Sequence, residues 1–277
     1  MAYATEISRA NPSAFLFLID QSKSMEDPFG GGGGKSRSQG VADAINRLLQ
    51  NLVIKCAKGE GINDYYVIGV IGYGKQVGPA FGGPLAGKHL VPISEVANSP
   101  TRVEERTKKI DDGAGGLIDQ SVKFPVWFEP IAENGTPMAE AFRLAHEILG
   151  AWVANHPDSY PPIIINITDG EYNTDPTAEA QALTALTTSD GNALLFNCHI
   201  SGIAASPIVF ANSDSGLPDD WARKLFALSS PLPDNMSAAA QSEGYGIGQG
   251  ARGFAFNADL VDLIRFLDIG TRPSNLR

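Results

Sequence analysis

Short apolar runs alternate along this chain with longer stretches whose apolar residues recur every three or four positions. Residues 14–19 (AFLFLI) are apolar without a break, the pattern of a strand buried on both faces. Residues 65–73 (YYVIGVIGY), 162–168 (PIIINIT), 194–200 (LLFNCHI) and 253–257 (GFAFN) read the same way. Within residues 38–58, Val41, Ile45, Leu48, Leu49, Leu52 and Val53 fall at helical spacing. Residues 137–153 (PMAEAFRLAHEILGAWV), 176–187 and 258–267 (ADLVDLIRFL) predict further helices. Continuous apolar strands alternating with helices predict an α/β fold, a doubly wound and mostly parallel sheet with helices on both faces.

Residues 78–123 interrupt the rhythm. They are rich in Gly and Pro, and their charged piece RVEERTKK predicts a short exposed helix. We read them as an insertion on one scaffold, with residues 1–277 forming a single domain.

Composition narrows the function. At 277 residues and 43% hydrophobic, the chain supports one sizeable core. A net charge of -10 and a pI near 4.8 argue against nucleic-acid binding, which needs a basic face. They argue against docking on anionic lipid as well. No apolar run approaches the roughly 18 residues of a membrane span. The first residues lack the basic-then-apolar order of a secretory signal. Cys56 and Cys198 lie far apart inside apolar segments, so two buried reduced thiols and a cytoplasmic protein are expected, with a single disulfide as the alternative.

Two glycine-rich segments invite a nucleotide-binding reading, and spacing rejects both. A phosphate-cradling G-x-x-x-x-G-K-[ST] loop ending at Gly34-Lys35-Ser36 needs glycine at position 29, which is Phe29. Residues 30–34 therefore read as a flexible glycine loop. Gly248-Gln249-Gly250-Ala251-Arg252-Gly253 matches GxGxxG but precedes a strand, whereas the dinucleotide fingerprint follows one.

Three polar elements carry more. Asp20-Gln21-Ser22-Lys23-Ser24 begins where the first strand ends, and alone it reads as a strand terminus with a capping residue. In Gly135-Thr136-Pro137, Thr fits an N-cap and Pro the first helical position. Thr168-Asp169-Gly170 alone is a turn. In an open parallel sheet, however, ligands bind outside the carboxyl ends of strands where the strand order reverses. All three elements lie at such ends or at the start of the next helix. Converged, they offer three hydroxyls and two carboxylates, an all-oxygen set suited to a hard divalent cation such as Mg²⁺.

DxSxS after the first strand, a threonine opening a later helix and TDG after a later strand resemble the von Willebrand factor A (vWA) domain and its metal-ion-dependent adhesion site. The resemblance covers roughly residues 12–270, apart from the insertion. It implies a six-stranded sheet with one antiparallel edge strand. It implies that Ser22, Ser24 and Thr136 bind Mg²⁺ (or Mn²⁺/Ca²⁺) directly, and that Asp20 and Asp169 bind through water or directly. TDGEYNTDP and FEPIAENGTPMAEAF are similar to bacterial intracellular members, including the tellurite-resistance-associated type. Many intracellular members carry glycine between the serines, where this chain has Lys23. Alternation along an extended segment points residue 23 away from 22 and 24, and its charge favours an acidic partner.

Neutral hydroxyls leave such a cation electrophilic, so the expected function is a metal-gated protein-binding module that captures a partner's Asp or Glu. The partner classes implied are an AAA+ ATPase, a kinase or phosphatase, or a ubiquitin-like protein, within a bacterial stress or defence system. A rival reading is a metal-dependent phosphatase. That chemistry needs a second acid two residues after Asp20, where Ser22 stands. No G-x-S-x-G, HExxH or Cys/His pairing is present, and His89, His146, His156 and His199 are scattered. A scaffold with a vestigial metal site is the third reading.

Overall fold

Alternate side chains of the first strand, β1 (Ser13–Asp20), supply two different cores. Phe15, Phe17 and Ile19 enter one, and Ala14, Leu16 and Leu18 enter the other, all of them 0–2% exposed. A strand can be apolar at every position only when both of its faces are covered. The computed structural model of the protein describes residues 3–29, 34–59, 61–111, 116–202 and 205–270. Residues 30–33 of the expected glycine loop lie outside the described residues.

After β1 come α1 (Arg37–Cys56), a small hairpin of β2 (Ala57–Lys58) and β3 (Gly61–Ile62), and β4 (Tyr66–Tyr73). Then follow β5 (Val77–Pro79), β6 (Val91–Pro92), α2 (Ile93–Asn98) and the long strands β7 (Arg102–Asp111) and β8 (Leu117–Val126). The second half opens with α3 (Met138–Asn155), β9 (Ile163–Thr168), α4 (Thr177–Thr184) and a small hairpin of β10 (Thr187–Thr188) and β11 (Gly191–Asn192). It closes with β12 (Leu194–His199), β13 (Ile208–Val209), α5 (Asp220–Leu228), α6 (Asp234–Ser242), β14 (Phe254–Phe256) and α7 (Leu260–Gly270).

The main sheet has the order β13-β14-β12-β9-β1-β4-β5, with β6 also on β4. β14, β12, β9, β1 and β4 run parallel. Helices α1, α2, α6 and α7 cover one face through Val41, Ile45, Val96, Met236 and Leu263. Helices α3, α4 and α5 cover the other through Phe142, Leu183 and Leu225. The α/β class and the doubly wound sheet are as the periodicity predicts.

Three expectations are corrected. Among the described residues the sheet has eight strands where the resemblance implies six. The chain leaving β4 turns back along it twice, so β5 pairs with the carboxyl half of β4 and β6 with the amino half. With β13 on β14, three short antiparallel pieces line the edges instead of one.

The charged piece RVEERTKK is not a helix. It lies in β7, paired from Arg102↔Val126 to Asp111↔Leu117 with β8 in a separate antiparallel hairpin. Pairing buries Phe124 and Val126 against α1, and Arg47 and Arg106 stack over the Phe124 ring at 5.0 and 3.6 Å. That tertiary gain overrides the local preference of a charged segment.

Finally, α5 and α6 are additions to the expected helices: both are short, nine residues each, in a Ser/Gly/Pro-rich stretch, although α5 is amphipathic and buries Ala222, Leu225 and Phe226. The Asp219 side chain starts α5 by accepting from Ala222 N at 2.7 Å.

Both cysteines are free and buried, and burial pushes each thiol up to about 12. Gly34-Lys35-Ser36 has a structural explanation. Ser36 caps α1 in a capping box with Gln39, and Lys35 pairs with Asp43 at 2.6 Å.

Candidate metal centre

From β1 the chain crosses to β4 on one side, and by way of α3 it reaches β9 on the other. The strand order therefore reverses at β1, and a crevice opens between the carboxyl ends of β1 and β9. Asp20 is the last residue of β1 and Thr168 the last of β9.

Asp20 is 1% exposed. Its Oδ1 accepts from Ser22 N at 2.8 Å, a tight turn that lifts the following residues off the strand. Its Oδ2 accepts from Thr168 Oγ1 at 2.7 Å, joining the two strand ends. Lys23–Glu26 then form a 3₁₀ turn. The expected extended alternation is thus replaced by a turn, but the consequence stands. Lys23 is exposed, while the Ser22 and Ser24 hydroxyls lie 3.0 Å apart. Neither the Ser22 side chain nor any other caps that turn.

Thr136 lies on the loop entering α3, 8% exposed. The loop is clasped to its neighbours through main chain. Glu133 N donates to Gln21 O at 2.6 Å, and Asn173 N donates to Thr136 O at 3.2 Å. Gly135 has φ +96, and a Cβ there would stand 3.0 Å from Gly74 O, so glycine permits the close approach. The expected helix start is shifted. α3 begins at Met138, with Pro137 at the cap and no side-chain capping bond, so the Thr136 hydroxyl is not spent on the helix.

Asp169, 9% exposed, is held from two sides that sequence reasoning missed. Its main-chain oxygen accepts from His199 Nε2 at 2.7 Å, which makes Nε2 the protonated nitrogen. Its Oδ2 lies 3.4 Å from Arg37 Nη1. Arg37 is the first residue of α1, where the helix dipole disfavours a cation, and that anomaly is the signal the sequence offered. Thr168 was legible as part of TDG, but its bond to Asp20 was not.

The structure thus brings Asp20, Ser22, Ser24 and Asp169 into one bonded network, and sets Thr136 beside it by main-chain contacts. Burial, and then the charge of Asp169, push the Asp20 carboxyl up to about 7 against hydrogen bonds from Ser22 and Thr168. Asp169 Oδ1 is buried with no hydrogen-bond partner among the described residues. Two acids short of positive charge, one with an orphaned oxygen, beside paired hydroxyls fit a hard divalent cation. Among the described residues no group of three or more His, Cys, Asp and Glu is placed to hold a metal. Here only two donors are acids and the rest are hydroxyls.

No protein-family model and no curated protein matches the chain. Solved structures do. A von Willebrand factor type A protein from Catenulispora acidiphila superposes at TM-score 0.47 and 13% identity, over 95% of this chain and 43% of that one. Proximal thread matrix protein 1 from the mussel byssus does so at 0.48 and 13%, over 94% and 46%. The manganese-loaded TRAP protein of Plasmodium vivax does so at 0.44 and 14%, over 96% and 76%. The chain spans less than half the length of the first two. All three TM-scores fall below 0.5, and the architecture described above rests on the sheet's own order and register.

Proposed function

We propose that this chain is a vWA-type, metal-dependent protein-binding module. The Ser22, Ser24 and Thr136 hydroxyls would hold a divalent cation, Mg²⁺ or Mn²⁺ or Ca²⁺, with Asp20 and Asp169 acting through water or directly. When bound, the metal supplies a Lewis-acidic position for one carboxylate oxygen of a partner's Asp or Glu. The observation that supports this most is the buried, charge-deficient pair Asp20 and Asp169 at the reversal point of the sheet. Asp20 fixes the turn that presents the serines, Thr168 ties the two strand ends, and His199 holds the Asp169 main chain.

The proposal includes no catalytic step, since Ser22 stands where a phosphatase of this topology needs its acid. No helix among the described residues is long and apolar enough to cross a membrane. The resemblance points to a cytoplasmic bacterial stress or defence assembly, with an AAA+ ATPase, a kinase or phosphatase, or a ubiquitin-like protein as partner. Affinity capture with Mg²⁺, repeated with EDTA and with Asp20→Ala, tests the reading. Partners recovered equally in all three conditions refute it.

A further inference from the structure

Arg37 has no place in the donor set, yet it is buried inside it. Its side chain is 7% exposed, and Nη1 lies 3.1 Å from Ser24 O, 3.4 Å from Asp169 Oδ2 and 3.6 Å from Asp27 Oδ2. One guanidinium nitrogen therefore touches two of the three loops that carry the metal donors, those of Ser24 and Asp169. The Arg37 backbone is pinned as well, its N–H donating to Asp27 O at 2.8 Å. Opposite it, a Cβ at Gly202 would come within 2.7 Å of Nη2, so the missing side chain there leaves the guanidinium its room.

As a clasp, Arg37 is poorly satisfied. Its Nε is buried without a partner among the described residues, and its contact with Asp169 is long for a charge-assisted bond. As a source of charge, it is well placed. It lies against one oxygen of Asp169, Oδ2, and leaves the other, Oδ1, buried without a hydrogen-bond partner among the described residues. A fixed cation also repels a second cation at short range in a buried site.

We infer that Arg37 is an internal counter-cation that holds Asp169 out of direct contact with the bound metal, so that the metal keeps charge for a partner's carboxylate. The inference rests on the metal-site reading above. Arg37 is a positioning residue, acting through Asp169. It weakens metal binding in exchange for a stronger demand for an external acid. A chain without the charge would let Asp169 coordinate directly, hold metal more tightly and bind an acidic partner less well.

The test uses Mn²⁺ alone as probe, with calorimetry for affinity and water-proton relaxation for the waters left on the ion. About six oxygen positions, three of them filled by hydroxyls, leave about three waters on wild-type Mn²⁺. Arg37→Gln, which keeps donors for Ser24 O and drops the charge, should bind Mn²⁺ at least about fivefold more tightly and lose about one water. Arg37→Lys, which restores the charge, should return affinity to within about threefold of wild type. A purely structural clasp predicts the opposite sign, with weaker binding in the glutamine variant. That result, or about two waters in wild type and variant alike, overturns the inference. A wild-type count of about two waters overturns the inference even if a variant fails to fold. Wild type that binds no Mn²⁺ refutes the metal-site reading itself, and the inference with it.

Discussion

Two clusters of charge flank α1, and they are built on opposite principles. At the hairpin base, Asp43 meets Lys35 at 2.6 Å and Arg106 at 2.7 Å, and Arg106 also pairs with Glu104. Partial burial pushes the Asp43 carboxyl up, but hydrogen bonds and charge from Lys35 and Arg106 outweigh it and hold it below the usual range. At the sheet's carboxyl edge Asp169 meets one guanidinium, Arg37, at 3.4 Å, and Asp20 is pushed up to about 7. One cluster is supplied with cations by the chain, and the other is left short of them. A folded chain that leaves buried acids short of positive charge has left room for a ligand that brings it.

The largest way to break the contrast is Asp20→Ala. It should abolish Mg²⁺ and Mn²⁺ binding by calorimetry while far-UV circular dichroism stays unchanged, because Asp20 ends a strand and is not part of the apolar core. Retained metal binding would place the site elsewhere.

Next in size is the partner contact. Thr136→Ala, or the partner's acid changed to its amide, should each cost roughly tenfold to hundredfold in affinity with metal present, and EDTA should match them. Combining the two substitutions should make affinity indifferent to metal.

The third prediction is a pH dependence of opposite sign for the two clusters. A carboxyl raised in the folded state adds stability that is full below its unfolded value near 4 and is lost as pH rises through about 7. Metal-free wild type should therefore fall in Tm relative to Asp20→Asn between pH 4 and 7, by several degrees. Saturating Mg²⁺ should restore the loss, with a stabilisation that grows toward pH 8. Asp43, lowered when folded, adds stability that is present above the unfolded value and lost as pH falls below it. A metal effect on Tm that is flat with pH would remove Asp20 from the site.

A smaller effect is expected for Asp43→Asn. It should cost about 1 kcal/mol in urea unfolding, because its cations stay partly solvated, and leave metal affinity alone. The smallest concerns the glycine tract. Removing two glycines from residues 30–34 should change neither stability nor metal affinity measurably. ATP should not raise Tm. Nucleotide stabilisation lost in Lys35→Ala would contradict the structural roles of Ser36 as the cap of α1 and of Lys35 as the partner of Asp43.

How much of this was legible depends on how far each signal reaches along the chain. β1, β4, β9 and β12 were readable because a strand buried on both faces is apolar throughout, and α1 and α3 because their apolar faces repeat every three or four residues. Asp20, Ser22, Ser24 and Asp169 were readable because they follow such strands directly. The β7–β8 hairpin was misread because its charges look helical until Phe124 finds α1 and Arg106.

By itself, then, the sequence determined the α/β class, the strand-end position of Asp20, Ser22, Ser24 and Asp169, and the mismatch of both glycine segments to nucleotide-binding motifs. Each of these depends on residues adjacent in the chain. Tertiary structure alone decided that the sheet has eight strands, that Thr168 closes on Asp20, and that His199 and Arg37 hold Asp169. Those are contacts between residues 30 to 148 positions apart. No periodicity records them, because the free energy that makes them exists only after the strands have been laid side by side.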